Sequence, residues 1–357
     1  MRILRIYPFL PPLPGGMEKH ILRLTEEQRK LGCEVTIAFN QGDATATSDI
    51  QVLSGINLRK IKPQSLRDLV FYWGLVIRLA RARKCFDVVH VHGDWSAFLL
   101  GRLVAFFVQA KKRVASLHDV TRRGIWDRLY HFIFKGYTMV YATGANDARH
   151  LGPLVEIPVF WRHSGVDADF FVSKDALKRT YDVISVGSFV AKKNYALVIQ
   201  IAENMPRHTF LLVGDGPQRA AIEADCRLRG ITNVTFTGQV APPEVVRYLC
   251  STRIFLLTSF AEGTPTAILE AMSCGLAIVT SRSNNYDDFL KPGQNGYVIE
   301  GFQWKDYVLK IRELLVDSNL LEEISRHNRA QAKNYSWPAV AKQITEWMKV
   351  DAHTRQN

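Results

Sequence analysis

Short apolar runs that alternate with helical segments are the feature of this sequence that most restricts its fold. The strand candidates of the first half lie at 3–7, 35–39, 86–92, 114–117 and 139–142. Between them, 17–30 and 66–83 carry apolar residues at helical spacing. Short apolar strands joined by helices are typical of a parallel sheet that is covered on both faces. The first half is therefore predicted to be an α/β unit.

The second half repeats this alternation. Its strand candidates lie at 181–186, 209–213, 234–236, 254–257 and 277–280, and its helix candidates at 217–229, 242–250 and 265–274. The segment 158–172 has few structural signals and is predicted to be a linker. The 357 residues are thus expected to form two similar α/β units. In open parallel sheets of this kind, ligands bind beyond the carboxyl ends of the strands.

Composition and cysteine usage indicate an intracellular globular protein. With 47% hydrophobic and 22% charged residues, the chain has enough apolar surface for packed cores. The longest apolar run, 69–80, is interrupted by Arg78 and is shorter than the ~20 residues of a spanning helix. The first residues lack the apolar core of a signal peptide. The five cysteines are scattered and contain no C-x-x-C pair, so we expect reduced thiols in a cytoplasmic protein.

Positive charge is concentrated in the first half. The chain carries a net charge of +12, of which residues 1–165, with 24 basic and 13 acidic residues, contribute +11. The segment 59–84 alone holds eight basic residues and one acid. Such a surface suits nucleic acid, an anionic membrane or a phosphorylated substrate, and composition does not choose among them.

The stretch from Thr258 to Gly275 has the most informative local pattern. It predicts a short helix that begins at a threonine–proline pair and ends at Gly275. The helix is apolar except for Glu270, a carboxylate that must be paired or hydrogen-bonded if it is buried. The free backbone amides of Thr266 and Ala267 are predicted to form an anion site at its start. A core helix with one satisfied glutamate is the alternative interpretation.

Glu262 and Glu270 are separated by seven residues, and this segment resembles the E-x7-E motif of the retaining family 4 glycosyltransferases. Further matches to that family follow in its order at 15–20, 87–93, 165–167, 214–217, 236–238 and 293–296. The resemblance covers nearly the whole chain. It implies a GT-B fold with two Rossmann-like parallel-sheet domains that face a cleft. The acceptor domain is expected at 1–165 and the nucleotide-sugar donor domain at 166–335. A C-terminal helix and tail at 336–357 would pack back toward the first domain.

The resemblance also implies individual roles. Glu262 would contact the hydroxyls of the donor sugar, Glu270 the ribose and Lys193 the diphosphate, and His118 would touch the donor sugar. Glu262, His118 and Lys193 are the candidate catalytic residues. The expected donor-binding residues are Gly16, Gly187, Ser188, Lys193, Gly263, Thr264, Thr266, Ala267 and Glu270. The histidines of 90–92 share a strand face, but no third ligand has suitable spacing, so neither a metal nor a cofactor is expected.

Some of these residues also have plain structural interpretations. Lys193 forms a pair with Lys192 that is typical of a solvated surface. The glycine pair that ends at Gly16 suits an ordinary helix start as well as a close ligand approach. A histidine at a strand end, such as His118, is often structural. Without the family context, these interpretations compete with the functional ones.

Two departures from the family pattern stand out. Ser188 occupies a position where many members carry arginine, and losing a charged hydrogen bond to phosphate costs roughly 1.5–3 kcal/mol. Another donor is therefore expected to compensate, or donor binding is weaker. Asn284 and Asn285 occupy positions where family members often have a glycine pair before an acidic residue. This difference leaves the shape of the loop undetermined, but it does not affect the predicted fold.

We therefore expect a retaining, metal-independent glycosyltransferase that uses a UDP- or GDP-sugar. A glycan or lipid-linked acceptor in bacterial surface polysaccharide biosynthesis is expected, with an anionic membrane surface as a further partner and no nucleic acid. The enzyme would then be cytoplasmic and peripheral at the inner face of the membrane. Phe71, Tyr72 and Trp73 lie beside basic residues on a helix that is either interfacial or packed with a solvated basic face.

Three alternatives remain from other classes. A nucleotide-sugar epimerase shares the GT-B fold, but the patterns of that family lack the E-x7-E segment. A non-catalytic GT-B binding partner would be expected to lose Glu262, Lys193 or His118, and all three are present. A nucleic-acid binder is the most remote alternative, because no recognition module accompanies the basic charge.

Overall fold

The chain folds into two compact units. The computed structural model describes residues 1–12, 16–82, 84–118, 124–171, 180–260, 266–282 and 289–350. The first unit comprises Met1–Gly165 and Trp337–Asn357, and the second comprises Val166–Ser336. Each contains a parallel sheet and flanking helices, so the predicted α/β fold class is confirmed.

The first unit is built on a parallel sheet. Its strands are β1 (Arg2–Ile6), β2 (Glu34–Phe39), β3 (Ile50–Gln51), β4 (Val88–His92), β5 (Lys112–Leu117), β6 (Met139–Ala142) and β7 (Val159–Trp161). Over the described residues of this unit, the strand order is β3-β2-β1-β4-β5-β6-β7. The order reverses direction at β1, which pairs with β2 on one side and β4 on the other. This reversal makes the carboxyl ends of β1 and β4 the natural ligand position.

Helices cover this sheet because its strands are apolar on both faces. They are α1 (Gly16–Lys30), α2 (Gln64–Ala82), α3 (Trp95–Phe107), α4 (Ile125–Phe134) and α5 (Ala145–Leu151). Arg5 is the exception within β1, since its guanidinium group is fully buried. It donates hydrogen bonds to the side chains of Thr25 and Gln28 on α1. These bonds offset part of the cost of burying a charge.

The second unit repeats the architecture. Its strands are β8 (Tyr181–Val186), β9 (Phe210–Val213), β10 (Val234–Gly238), β11 (Thr252–Leu257), β12 (Ala277–Ser281) and β13 (Gly296–Ile299). In the part that the structure describes, these six parallel strands have the order β10-β9-β8-β11-β12-β13. Its helices are α6 (Tyr195–Glu203), α7 (Arg219–Leu228), α8 (Pro242–Cys250), α9 (Thr266–Ser273), α10 (Trp304–Val316) and α11 (Ser318–Ala332). The strand order changes direction at β8, which pairs with β9 on one side and β11 on the other.

The last helix, α12 (Trp337–Lys349), belongs to the first unit although it follows the second in the chain. It packs against α1, where Gln28 Nε2 donates to Thr345 Oγ1 over 2.9 Å. Its buried side chains Trp337, Val340 and Ile344 join the apolar cluster on one face of the first sheet. The predicted return of the C-terminal helix to the first unit is confirmed.

All ten strands predicted from the sequence are present, with ends that differ by at most two residues. The structure adds β3, β7 and β13. The predicted linker at 158–172 is wrong in part, because β7 lies within it and pairs with β6. All five cysteines are free thiols; four are buried and Cys85 is exposed. No helix among the described residues is both long and apolar enough to span a membrane.

Candidate functional site

In the second unit, three loops meet at the carboxyl ends of β8, β9 and β10. They border a cavity of about 300 Å³ whose lining includes Gly187, Ser188, Gly214, Asp215 and Gln239. Gly214 has a φ of +133°, and a Cβ atom there would lie only 2.1 Å from the carbonyl oxygen of Gly187. A glycine is therefore required for these two loops to pack together.

Lys193 lies next to this cavity. It ends a 3-10 turn, Ala191–Lys193, and its Nζ would be 3.7 Å from a Cβ atom built on Gly187. Thr258 Oγ1 lies 3.1 and 3.0 Å from the carbonyl oxygens of Lys193 and Asn194 and can donate its single proton to either, which holds the turn. The structure thus brings the predicted residues Gly187, Ser188 and Lys193 together. An ammonium group above a glycine loop is suited to an anionic ligand.

The predicted helix with the second glutamate is α9. Thr266, Ala267 and Glu270 are half-buried, whereas Ile268, Leu269, Ala271 and Met272 are buried. Positions i, i+1 and i+4 lie on one side of a helix, so the three half-buried residues share its accessible face. Gly275 follows the helix with a φ of +71°, the conformation that glycine adopts at helix ends. Glu262, Gly263 and Thr264 lie outside the described residues.

In the first unit, four histidines lie together, three of them buried and His118 half-buried. His20 comes from α1, His90 and His92 from β4, and His118 follows β5. His92 Nδ1 lies 2.9 Å from His118 Nε2, and the rings of His20 and His118 are 4.7 Å apart at their centroids. His20 Nδ1 lies 2.8 Å from Ser164 Oγ, and His90 Nε2 lies 2.5 Å from Ser116 Oγ. The predicted site residue His118 is therefore held by a histidine on the neighbouring strand.

The four imidazoles are neutral at physiological pH. Burial lowers the pKa of His118 to about 4, and burial is also the main cause that lowers the pKa of His20, His90 and His92 well below 6.5. The charge of buried Arg5 lowers the pKa of these last three further. A neutral imidazole keeps one N–H donor and one acceptor nitrogen, so His118 can hydrogen-bond a hydroxyl without carrying charge.

The remaining predicted residue, Gly16, begins α1, and a Cβ atom there would meet no atom of the described residues within 4 Å. Gly16 and His118 belong to the first unit, whereas the other described site residues belong to the second. Within the described ranges, no group of three or more His, Cys, Asp or Glu side chains is arranged to hold a metal ion.

The sequence analysis missed a polar group in the first unit. Asp68 on α2 and Asp94 after β4 are both within hydrogen-bond distance of the Ser96 hydroxyl, at 2.6 and 3.0 Å. Asp94 also accepts from Gln64 Nε2 over 2.6 Å. The position of Asp94 just beyond a buried strand was a signal for a site, because ligands bind at such strand ends.

Two family models match the chain. Residues 14–170 match the model described as Glycosyltransferase Family 4. Residues 167–333 match the model described as Glycosyl transferases group 1. Together they span residues 14–333.

Among curated proteins, the chain is 24% identical to the phosphatidyl-myo-inositol mannosyltransferase of Mycobacterium tuberculosis, over 96% of this chain and 95% of that protein. It is 28% identical to sulfoquinovosyl transferase SQD2 of Arabidopsis thaliana over 45% of this chain. That match spans only 32% of the relative's length.

Among solved structures, HepE of Anabaena in complex with UDP superposes with a TM-score of 0.79 and 17% identity. The match covers 98% of this chain and 99% of HepE. HepE in complex with UDP-glucose superposes with a TM-score of 0.74. At this level of identity the likeness shows the fold, which is GT-B.

Proposed function

Because the chain belongs to the GT-B glycosyltransferases of family 4, we propose that it is a retaining enzyme that uses a UDP- or GDP-sugar. Its acceptor is a glycan or a lipid-linked glycan of bacterial surface polysaccharide synthesis. The observation that carries the proposal is the cavity of the second unit, where the Lys193 ammonium lies over Gly187. The HepE complexes with UDP and UDP-glucose support a nucleotide-sugar donor.

Each part of the donor finds a suitable group in this proposal. The diphosphate lies against the Lys193 ammonium, the backbone of Gly187 and the hydroxyl of Ser188. Glu270, on the accessible face of α9, accepts hydrogen bonds from the two ribose hydroxyls.

The donor sugar is assigned to the remaining predicted residues. Glu262 contacts its hydroxyls, and backbone amides of Gly263 and Thr264 complete that side. His118, held by His92, hydrogen-bonds a sugar hydroxyl as a neutral imidazole. Gly16, which has no side chain, allows the donor to approach the backbone at the start of α1.

The proposed chemistry needs no nucleophile from the enzyme. The bond between the anomeric carbon and the diphosphate oxygen breaks while the acceptor oxygen bonds to the same face of the sugar. The leaving diphosphate takes the acceptor's hydroxyl proton. The enzyme then contributes positioning and stabilisation of the charge that develops on the diphosphate. Lys193 and the amides of Thr266 and Ala267 supply that stabilisation.

A matched pair of lysine variants tests the donor site. Lys193→Ala is expected to weaken UDP binding by roughly 10- to 100-fold, the loss of a charged hydrogen bond of about 1.5–3 kcal/mol. UMP binding should change much less, because it lacks the second phosphate. Lys192→Ala is the control, since Lys192 is exposed and adjacent in the chain. Calorimetric titration that finds equal losses for UDP and UMP would show that Lys193 does not contact the diphosphate.

Donor and metal requirements are tested with the unmodified enzyme. A panel of UDP- and GDP-sugars, assayed for hydrolysis and for transfer, should identify one donor that is consumed with retained anomeric configuration. Activity should persist in EDTA. Inversion of configuration, or a loss of activity that divalent metal restores, would refute the retaining, metal-independent proposal.

The surface of the first unit supports a membrane partner. Trp73 on α2 is 63% exposed, Phe106 on α3 is 77% exposed and Phe132 on α4 is 58% exposed. Phe71 and Tyr72, which the sequence offered as insertion candidates, are buried in the core and are excluded. Aromatic side chains that remain exposed beside basic residues are typical of proteins that lie on a membrane.

Basic side chains accompany these aromatic rings. The Arg102 guanidinium lies 5.9 Å from the centre of the Phe132 ring, and Arg81 and Lys84 are exposed at the end of α2. We therefore propose that the first unit docks on an anionic leaflet, on the cytoplasmic side, where a lipid-linked acceptor would be presented. Each basic residue near such a surface contributes about 1 kcal/mol, and the attraction fades within a Debye length of roughly 8–10 Å.

Sedimentation with vesicles tests this docking. Binding should require phosphatidylglycerol in a phosphatidylcholine background and should fall steeply between 50 and about 500 mM salt, because charge attraction is screened. Arg81→Gln with Lys84→Gln should weaken binding by about 2 kcal/mol, or roughly 30-fold. Lys192→Gln with Lys291→Gln, two exposed lysines of the second unit, is the control. If the protein does not bind anionic vesicles at low salt, the docking proposal is refuted, whereas the proposed donor site is unaffected.

A further inference from the structure

A second cavity has described lining residues that all belong to the first unit. It has a volume of about 290 Å³ and lies at the carboxyl ends of β1, β4 and β5. Its aromatic lining includes Tyr7, Phe9, Tyr72, Trp95, Trp126 and Tyr130. We propose that this cavity binds an uncharged pyranose ring, the terminal sugar of the acceptor, and rejects a phosphorylated sugar. This inference rests on the proposed function, since it names the acceptor class of the same enzyme.

The polar wall of this cavity is rich in hydrogen-bond acceptors. Asp68 and Asp94 both line it, and the single hydroxyl proton of Ser96 can serve only one of them at a time. Gln64 donates to Asp94, which leaves further oxygen lone pairs of the two carboxylates unused. Sugar hydroxyls are donors that match such a wall.

Two buried polar atoms of the lining have no hydrogen-bond partner among the residues that the structure describes. They are Tyr72 Oη and His92 Nε2, in side chains that are 2% and 0% exposed. Buried polar groups without partners are rare in folded proteins. His92 uses its other nitrogen to hold His118, so Nε2 remains available to the cavity. A ligand with several hydroxyl groups can satisfy both atoms together with the carboxylates.

The aromatic side chains complement the apolar faces of a sugar. The rings of Trp95 and Trp126 lie 5.9 Å apart at their centroids and are tilted by 44°. A pyranose ring presents C–H bonds on its faces and hydroxyls around its rim. Small-molecule sites usually combine aromatic side chains with a few convergent polar groups. This cavity has both, because its aromatic rings lie in the same lining as the two carboxylates.

The charges around the cavity disfavour a phosphate. Two guanidinium groups, those of Arg59 and Arg67, lie 5.1 and 5.3 Å from the centre of the Phe9 ring. Arg67 lies 3.4 Å from Asp68, and Arg59 lies 4.0 Å from Glu18. Each guanidinium thus already has a carboxylate partner, and Asp94 adds a third acid. Among these described groups, three carboxylates outnumber two guanidinium groups, a balance that disfavours a phosphate dianion.

Saturation-transfer NMR on the full chain, with UDP present, tests the proposal. The probes are the methyl glycosides of glucose, galactose, mannose and N-acetylglucosamine, and the corresponding sugar 6-phosphates. At least one methyl glycoside should receive saturation at its ring protons, and its 6-phosphate should bind at least tenfold more weakly. Trp95→Ala and Asp94→Asn should each reduce glycoside binding by tenfold or more. Trp73→Ala is the control, because Trp73 is exposed and does not line the cavity.

UDP binding, measured on the same samples, separates this inference from the proposed function. The variants change only the first unit, so UDP affinity should be unchanged in all of them. The inference is overturned if no methyl glycoside binds, if a sugar phosphate binds more tightly than its glycoside, or if binding survives in both cavity variants. Failure of UDP to bind the unmodified protein would instead count against the proposed donor site.

Discussion

Replacing Gly214 by alanine should destabilise the second unit and weaken nucleotide binding. The added Cβ atom would lie 2.1 Å from the Gly187 carbonyl oxygen, far inside van der Waals contact, and this oxygen is backbone that cannot rotate away. Forcing extra volume into a packed position costs typically 1–3 kcal/mol. A non-glycine residue at a φ of +133° adds about 1–3 kcal/mol. Together these give a loss of about 2–6 kcal/mol.

Gly230→Ala is the matched control for this substitution. Gly230 also has a positive φ, of +68°, but a Cβ atom there would meet nothing within 4 Å, so only the backbone cost of roughly 1–2 kcal/mol applies. Thermal unfolding should therefore show a Tm for Gly214→Ala that is several degrees below that of Gly230→Ala, at about 2–4 °C per kcal/mol. UDP should bind Gly214→Ala more weakly, because Gly187 is displaced. Equal Tm values for the two variants would refute the close-packing argument.

Further predictions concern acid stability, the ribose contact, the donor sugar and thiol reactivity. The unfolded chain binds protons at histidines near pH 6.5, but in the folded protein the pKa values of His20, His90, His92 and His118 are lower. The free energy of unfolding should therefore fall as the pH drops from 6.5 toward 4, by up to about 1.4 kcal/mol per pH unit for each histidine. A free energy of unfolding that stays constant between pH 6.5 and 5 would contradict this. Glu270→Ala should weaken UDP binding by roughly 10- to 100-fold in calorimetry, and an unchanged affinity would remove the ribose role. Glu262→Gln should lower turnover by orders of magnitude without changing Tm. Cys85 alone should react rapidly with a thiol reagent in the native protein, since it is exposed; mass spectrometry should find the other four unlabelled.

The fold was predictable from the sequence wherever a strand is apolar and long enough to show a recognisable pattern. Strands such as β6 and β9 are buried within the sheets, and their residues form continuous apolar runs. β3 has two residues and β7 has three, and neither is long enough to show a period. Their pairing with neighbouring strands, not their own composition, makes them strands.

The site was predictable only where local sequence determines geometry. Successive helix residues point about 100° apart, so three adjacent aromatic residues cannot all face one side, and only the packing of α2 decided that Phe71 and Tyr72 turn inward. Asp68 and Asp94 lie on separate elements, and no sequence window connects them. Ser96 brings them together in space. The glycine loop and Lys193 were found because a family motif marked them, not because their proximity follows from spacing.

The return of α12 to the first unit has a consequence for the order of events during synthesis. The sheet of the first unit is complete once residue 165 has left the ribosome. Its face with Ile3, Val35 and Val114 is covered only when Trp337, Val340 and Ile344 of α12 have been synthesised. At about 5–20 residues per second, that interval lasts roughly ten to thirty seconds or more. The second unit, which is contiguous, can finish folding first. The nascent first unit thus presents an apolar face that a chaperone could shield, and truncation before Trp337 should leave this face permanently open to aggregation.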